Sequence, residues 1–170
     1  MRKIPLPLLS LFLASLCILV VMHTGAQAVE QADNLLVNKS HKTLQLQKNG
    51  LTFAVFKIAL GKNPIGHKQQ QGDGRTPEGV YFIEEKKADS AFYKALKISY
   101  PNAADRESAK KMKRSPGGQI MIHGQKNGYG WGAYVMQQRN WTDGCIALTN
   151  QDLDKVWQAV QVGTRIEILP

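Results

Sequence analysis

Asn49-Gly50 constrains this chain more than any other pair of residues. It stands between Leu44 and Leu46, which alternate with polar residues, and the strand-length apolar run from Phe53 to Leu60. Asn-Gly at such a junction closes a two-residue turn in which both residues take positive φ. The stretch from Leu35 to Leu60 is therefore expected to be a hairpin, and neither arm has the spacing of a helix. Gly61 to Gly79 carries five glycines and two prolines with no strong apolar pattern, and reads as a long loop across the surface. Within it, Thr76-Pro77-Glu78-Gly79 suits a type I turn, and Val80 to Ile83 resumes as a strand.

From Ser90 to Arg114 the pattern turns helical in places. Ala104 to Lys113 is the clearest short helix there, with Lys110, Lys111, Lys113 and Arg114 on or beside it as a solvated face. Pro116-Gly117-Gly118 breaks the chain before the apolar run Gln119 to His123, a strand that delivers the histidine to its end. A strand holds a side chain more rigidly than a loop does. The segment from Gly124 to Arg139, with Gly128, Tyr129, Gly130, Trp131, Gly132 and Tyr134, reads as an irregular flap or rim. Leu153, Val156, Trp157 and Val160 then mark a helix, with Thr149 or Asn150 as N-cap, Asp152 and Asp154 in its first turn, and Gly163 to end it. Arg165 to Leu169 alternates and closes the chain as a strand.

Residues 1–28 read as a secretory signal: Arg2 and Lys3 open it, Ile4 to Met22 is almost wholly apolar, and Ala26-Gln27-Ala28 fits a small-x-small cleavage site. An uncleaved anchor is the alternative, since the apolar stretch approaches the roughly 20 residues a membrane helix needs. A lipid-modified Cys17 is disfavoured by Leu16, which is not the small residue that such processing wants. Residues 29–170 suffice for one domain with one core. The leader holds two of the 22 basic residues and none of the 13 acidic ones, which leaves the remainder at a formal charge of +7. That balance favours an anionic partner such as a carboxylate-rich wall polymer or membrane surface, or simply serves solubility; export argues against nucleic acid.

Removal of the leader takes Cys17 with it and leaves Cys145 without a disulfide partner in its own chain. Such a thiol is a buried small hydrophobe, an intermolecular link or a nucleophile. A free thiol ionises near 8.5, so at neutral pH it needs a base, and His123 lies 22 positions upstream at a strand end. Gly144 directly before it lets the backbone approach a substrate closely, as an amide-donating oxyanion pocket requires, and a core cysteine has no such need.

His123-Gly124 followed by Thr142-Asp143-Gly144-Cys145, with Gly72-Asp73-Gly74-Arg75-Thr76-Pro77-Glu78-Gly79 upstream, resembles the signature of the L,D-transpeptidase (YkuD-type) catalytic domain of bacterial cell-wall enzymes. The likeness spans roughly Asn34 to Pro170, with Lys39 to Leu46 similar to the family's opening strand. It implies a mainly β sandwich with short helices, one of them following the cysteine loop. It also implies that Cys145 attacks a peptidoglycan stem-peptide amide to form a thioester, that His123 is base and then acid, and that the Gly124 carbonyl or its neighbour orients the imidazole. The amides of Gly144 and Cys145 would hold the oxyanion, and Thr142, Asp143, Arg139, Trp141 and Tyr129 would meet substrate. Many family members carry histidine before Gly-Cys and arginine two residues after the cysteine. This chain has Asp143 and Ala147 there, which leaves Arg139 or Lys126 to anchor a substrate carboxylate.

The Asp-Gly-Cys-Ile-Ala form looks like a secreted, periplasmic subgroup that edits wall attachments, including wall-anchored lipoprotein. The resemblance implies a monomer with no cofactor, whose Cys145 carbapenems acylate. A hydrolase of the same fold and a non-catalytic wall-binding module are the rival readings. His41 and His67 lack the spacing of a zinc site, so no metal is expected. Gly128-Tyr129-Gly130 lacks the lysine and helix of a phosphate loop. Tyr129, Trp131, Tyr134 and Trp141 either line a groove for sugar or stem peptide or anchor loops in the core.

Overall fold

Asn49 and Gly50 take φ of +50° and +78°, closing the expected hairpin between β2 (Thr43–Lys48) and β3 (Leu51–Lys57). The computed structural model describes residues 28–170. The leader expected over residues 1–28 lies, apart from Ala28, outside the described residues. Among the described residues no helix is long and apolar enough to cross a membrane.

The opening strand is β1 (Asn34–Asn38), antiparallel to β2. The likeness of Lys39 to Leu46 to an opening strand is corrected accordingly. Lys39 to Lys42 form the turn between two strands, with Lys42 at φ +52° and the Lys42 amide bonded to the Lys39 carbonyl. β1 also runs parallel to the final strand, β8 (Arg165–Leu169). Leu35 faces Leu46 and Ile166, Val37 faces Leu44 and Ile168, and all six are at most 2% exposed. Each such side chain withdrawn from water contributes about 1.5–3 kcal/mol.

β4 (Gly79–Ser90) is the longest strand, and both halves of the molecule depend on it. Its first residues pair with β8 and its remainder with β5 (Tyr93–Ile98), with register shifts after Ile83 and Lys87. Residues 90–98 are thus strand and turn, where the sequence pattern reads partly helical. The charged run Glu84 to Lys87 masks the alternation, and pairing with neighbours decides the outcome. β5 pairs with β6 (Met121–His123), which runs parallel to β7 (Ile146–Ala147). The order is β3-β2-β1-β8-β4-β5-β6-β7. The two ends are tied by bridges from Ala59 to Ala147 and from Gly61 to Thr142, so the sheet curls around one shared core. The mainly β architecture with short helices is as expected.

Among the described residues, three α-helices decorate this sheet. α1 (Ala103–Lys111) begins at Asn102, which exchanges a reciprocal capping box with Asp105. α2 (Ala133–Met136) is a single turn following a 3-10 turn at Gly130–Gly132, so the expected flap has short helical structure. α3 (Asn150–Ala159) is capped by the Thr149 hydroxyl and buries Leu153, Val156 and Ala159. It ends at Val160, three residues before the expected Gly163, where the backbone turns extended, and the Lys86 ammonium bonds the freed carbonyls of Trp157 (2.6 Å) and Val160 (2.7 Å).

The loop from Gly61 to Gly79 does not merely cross the surface. Lys68 is 3% exposed and Thr76 fully buried. Its backbone can be buried because side chains satisfy it. Lys39 Nζ bonds the carbonyls of Gly66 and Thr76 and the Glu78 carboxylate, and Asp73 accepts from the amides of Gln69, Gln70 and Arg75 and from Lys68 Nζ at 2.7 Å. His67 Nε2 lies 3.1 Å from Asp105, joining this loop to α1.

Candidate active site

β6 and β7 lie side by side with His123 in register with Ala147, two residues after Cys145. Cys145 directly precedes β7, so this parallel pairing brings the end of β6 and the start of β7 to one place. The thiol and the imidazole both line one cavity of about 840 Å³, with Phe92, Gln119, Met121, Gln125, Lys126, Tyr129, Met136 and Trp141 among its walls. That volume falls within the range of small-ligand clefts.

The imidazole of His123 is 5% exposed, and Nδ1 lies 2.7 Å from the Gly124 carbonyl. A carbonyl only accepts, so Nδ1 carries the proton and Nε2 is left with its lone pair free. Phe92 packs on the ring at a centroid distance of 4.7 Å, and Trp141 meets it edge-on at 5.6 Å. Burial lowers the pKa of this histidine, and the bond to Gly124 opposes that only in part. The neutral ring is the resting form.

Cys145 is half-buried, and its Sγ contacts the Gln119 carbonyl at 3.6 Å. Burial pushes the thiol up, the Met121 amide favours the thiolate, Asp143 pushes the thiol up further, and Lys68 pulls it down. The balance is upward. Both directions favour the uncharged pair, thiol and imidazole.

The turn before Cys145 is built from glycine for a steric reason. Gly144 takes φ +128°, and a Cβ there would lie 2.6 Å from the Arg75 carbonyl oxygen. A Cβ on Gly61 would collide with the Gly74 carbonyl and stand 3.1 Å from the Gly144 Cα. Three glycines thus meet beneath the thiol. Thr142 is 4% exposed, and its hydroxyl donates to the Cys145 carbonyl (2.7 Å) and accepts from the Gly144 amide (3.2 Å).

The expected site residues part into two groups. His123, Cys145, Trp141, Tyr129, Thr142 and Asp143 line the cavity, and Gly124 and Gly144 shape it through their backbones. Two details bear on the expected roles. The Gly144 amide is bonded to the Thr142 hydroxyl, which itself bonds the Cys145 carbonyl within the same turn. Asp143 stands at the rim, 86% exposed, in an open ion pair with Lys62.

Arg139 is exposed and does not line the cavity, whereas Lys126 does, together with Lys87, which sequence reasoning missed. Phe92 was also missed. It sits in the β4–β5 turn, 31 residues before the histidine it covers, and no spacing signals that contact. Among the described residues no group of three or more metal-ligating side chains gathers.

A family model described as the L,D-transpeptidase catalytic domain (YkuD) matches residues 32–168. YafK of Escherichia coli (strain K12), which carries a provisional L,D-transpeptidase name, is 34% identical over 128 residues, 72% of this chain and 44% of YafK. The chain thus spans less than half the length of the curated relatives it matches. The solved structure of Pgp2, a helical cell shape determining protein from Campylobacter jejuni, aligns at 29% identity with a TM-score of 0.60, covering 79% of this chain and 46% of that one. L,D-transpeptidase 3 from Mycobacterium tuberculosis, solved with a faropenem-derived adduct, shares the fold at a TM-score of 0.54 and 15% identity, covering 81% and 60% of the two chains.

Proposed function

This chain belongs to the L,D-transpeptidase catalytic-domain family, and we propose that it is a cysteine acyltransferase acting on peptidoglycan stem peptides. The observation that carries this is the shared cavity of Cys145 and His123, with the imidazole tautomer fixed by the Gly124 carbonyl so that Nε2 can accept a proton. Sγ attacks the carbonyl carbon of the stem-peptide amide as its proton passes to Nε2. The resulting oxyanion rests on the Cys145 amide, since the Gly144 amide is bonded to Thr142. Collapse breaks the C–N bond, the imidazolium returns its proton to the departing amine, and a thioester on Cys145 remains.

An incoming amine gives a cross-link and regenerates the thiol, whereas water gives hydrolysis. The half-buried thiol beside apolar walls, with Phe92 and Trp141 on the imidazole, limits water near the thioester and favours the amine. Lys126 and Lys87 are the cavity's cations, and they would hold a donor carboxylate. The setting is the periplasm and the acting form a monomer, with no cofactor; besides a stem-peptide amine, the acceptors are water and the lysine of a wall-anchored lipoprotein.

The test is product analysis on purified muropeptides. New cross-linked dimers support transfer to an amine, trimmed monomers support transfer to water, and unchanged substrate with intact protein would remove the reading.

A further inference from the structure

The short segment from Tyr129 to Met136 has two sides. Tyr129 and Met136 face the cavity of the thiol. Trp131 and Tyr134, 87% and 81% exposed, line a separate hollow of about 440 Å³ whose floor comes from the start of α3, at Asn150 and Gln151. Two large rings this open to water on one short segment form an exposed apolar patch that marks a surface something covers.

The chemistry of the hollow narrows what that is. Its lining carries no charged side chain, on a chain whose formal charge is +9. An anionic polymer would draw on cations, and a charged peptide on both signs. Asn150 Oδ1 accepts from the Gln125 amide at 2.8 Å, which fixes the side chain with Nδ2 beside Gly130, where a Cβ would lie 3.3 Å from it. Nδ2 thus faces the hollow as a donor, and the Gln151 amide is exposed beside it. Flat apolar rings flanked by neutral amides match a pyranose, whose C–H faces stack on aromatics while its hydroxyl and acetamido groups bond amides. The volume falls within the range of small-ligand clefts.

We propose that Trp131, Tyr134, Asn150 and Gln151 form a binding site for a neutral N-acetylated glycan. It shares a wall with the catalytic cavity, because the Gln125 that Asn150 holds lines that cavity. The choice of glycan rests on the stem-peptide reading above: the site would hold the sugar strand while its attached peptide enters beside the thiol, so that substrate is engaged at two points.

The test uses the full chain carrying Cys145→Ala, titrated with chitotetraose, a peptide-free N-acetylglucosamine tetramer, and followed by NMR. Shifts are expected at the Trp131 indole N–H and the side-chain amides of Asn150 and Gln151. Trp131→Ala should weaken binding by about tenfold or more, while Trp131→Tyr, which keeps a ring, retains most of it. Absence of binding, shifts confined to another face, or equal affinity in Trp131→Ala would overturn the proposal. So would a change in self-association on Trp131→Ala, measured by sedimentation, since a second copy would then be the cover. The probe has no peptide and the protein no thiol, so this result and the muropeptide result can fail separately.

Discussion

The carbonyl oxygen of Arg75 stands where a side chain on Gly144 would have to be, 2.6 Å from the position of its Cβ. The loop before β4 and the turn bearing the thiol are thereby locked together. Gly144→Ala must push the two apart and also hold alanine at φ +128°, a region that costs non-glycine residues about 1–3 kcal/mol. The expected outcome is a lower melting temperature and a loss of Cys145 acylation, checked by calorimetry and by mass.

Asp73 supports the same loop from within. Burial pushes its carboxyl up, but the Lys68 ammonium and the amides of Gln69, Arg75 and Gln70 outweigh that and hold it at about 2. The folded value lies below the unfolded 3.8, so this contribution to stability is present above 3.8 and is lost as pH falls through about 2. Asp73→Asn leaves the Lys68 cation, only 3% exposed, without its partner, and should cost about 3 kcal/mol. Urea unfolding at pH 7 and at pH 2 checks both statements, since the gap between wild type and variant should narrow in acid.

The resting pair is uncharged, which fixes the pH behaviour. His123 ionises below its ordinary 6.5 and Cys145 above the ordinary thiol range, so neutral imidazole and thiol coexist around neutral pH. Acylation should fall only as pH drops below 6.5, where His123 takes up a proton. Alkylation of Cys145 by iodoacetamide in the absence of substrate should climb toward and beyond pH 9.0. A plateau of alkylation from pH 5 to 7 would reveal a ready-made thiolate–imidazolium pair instead.

His123→Ala removes the base without opening the fold, because the strand pairing of β6 is made by backbone groups. Acylation of Cys145 should fall by about 10² to 10⁴-fold, read by stopped-flow, with an unchanged circular dichroism spectrum.

Lys126→Ala should raise KM for a carboxylate-bearing stem peptide by about tenfold with a smaller change in kcat, since the ammonium would bind rather than react. The same substitution at Arg139, which does not line the cavity, should shift KM far less.

Much of this was legible in the sequence, for local reasons. Asn49-Gly50 announced its hairpin, the spacing of Leu153, Val156 and Trp157 announced α3, and His123 and Cys145 announced themselves by their glycine neighbours. What escaped depends on distant pairing. The charged run in β4 hides a strand that exists because β8 and β5 flank it. Lys87 and Phe92 reach the cavity only through that hairpin, so no motif could carry them. The Gly61 to Gly79 loop has the composition of a surface segment, and the buried lysines that make its interior position tenable act across up to 39 residues. The bond from the Gly144 amide to the threonine hydroxyl two residues away is likewise a matter of local turn geometry that no motif spells out.

The central claim is that Cys145 becomes acylated with His123 as its base, and intact-mass spectrometry after incubation with imipenem tests it most directly. Wild type should gain one covalent adduct, His123→Ala should gain it far more slowly, and Cys145→Ala should gain none. An adduct that survives in Cys145→Ala, or its absence from correctly folded wild type, would contradict the account.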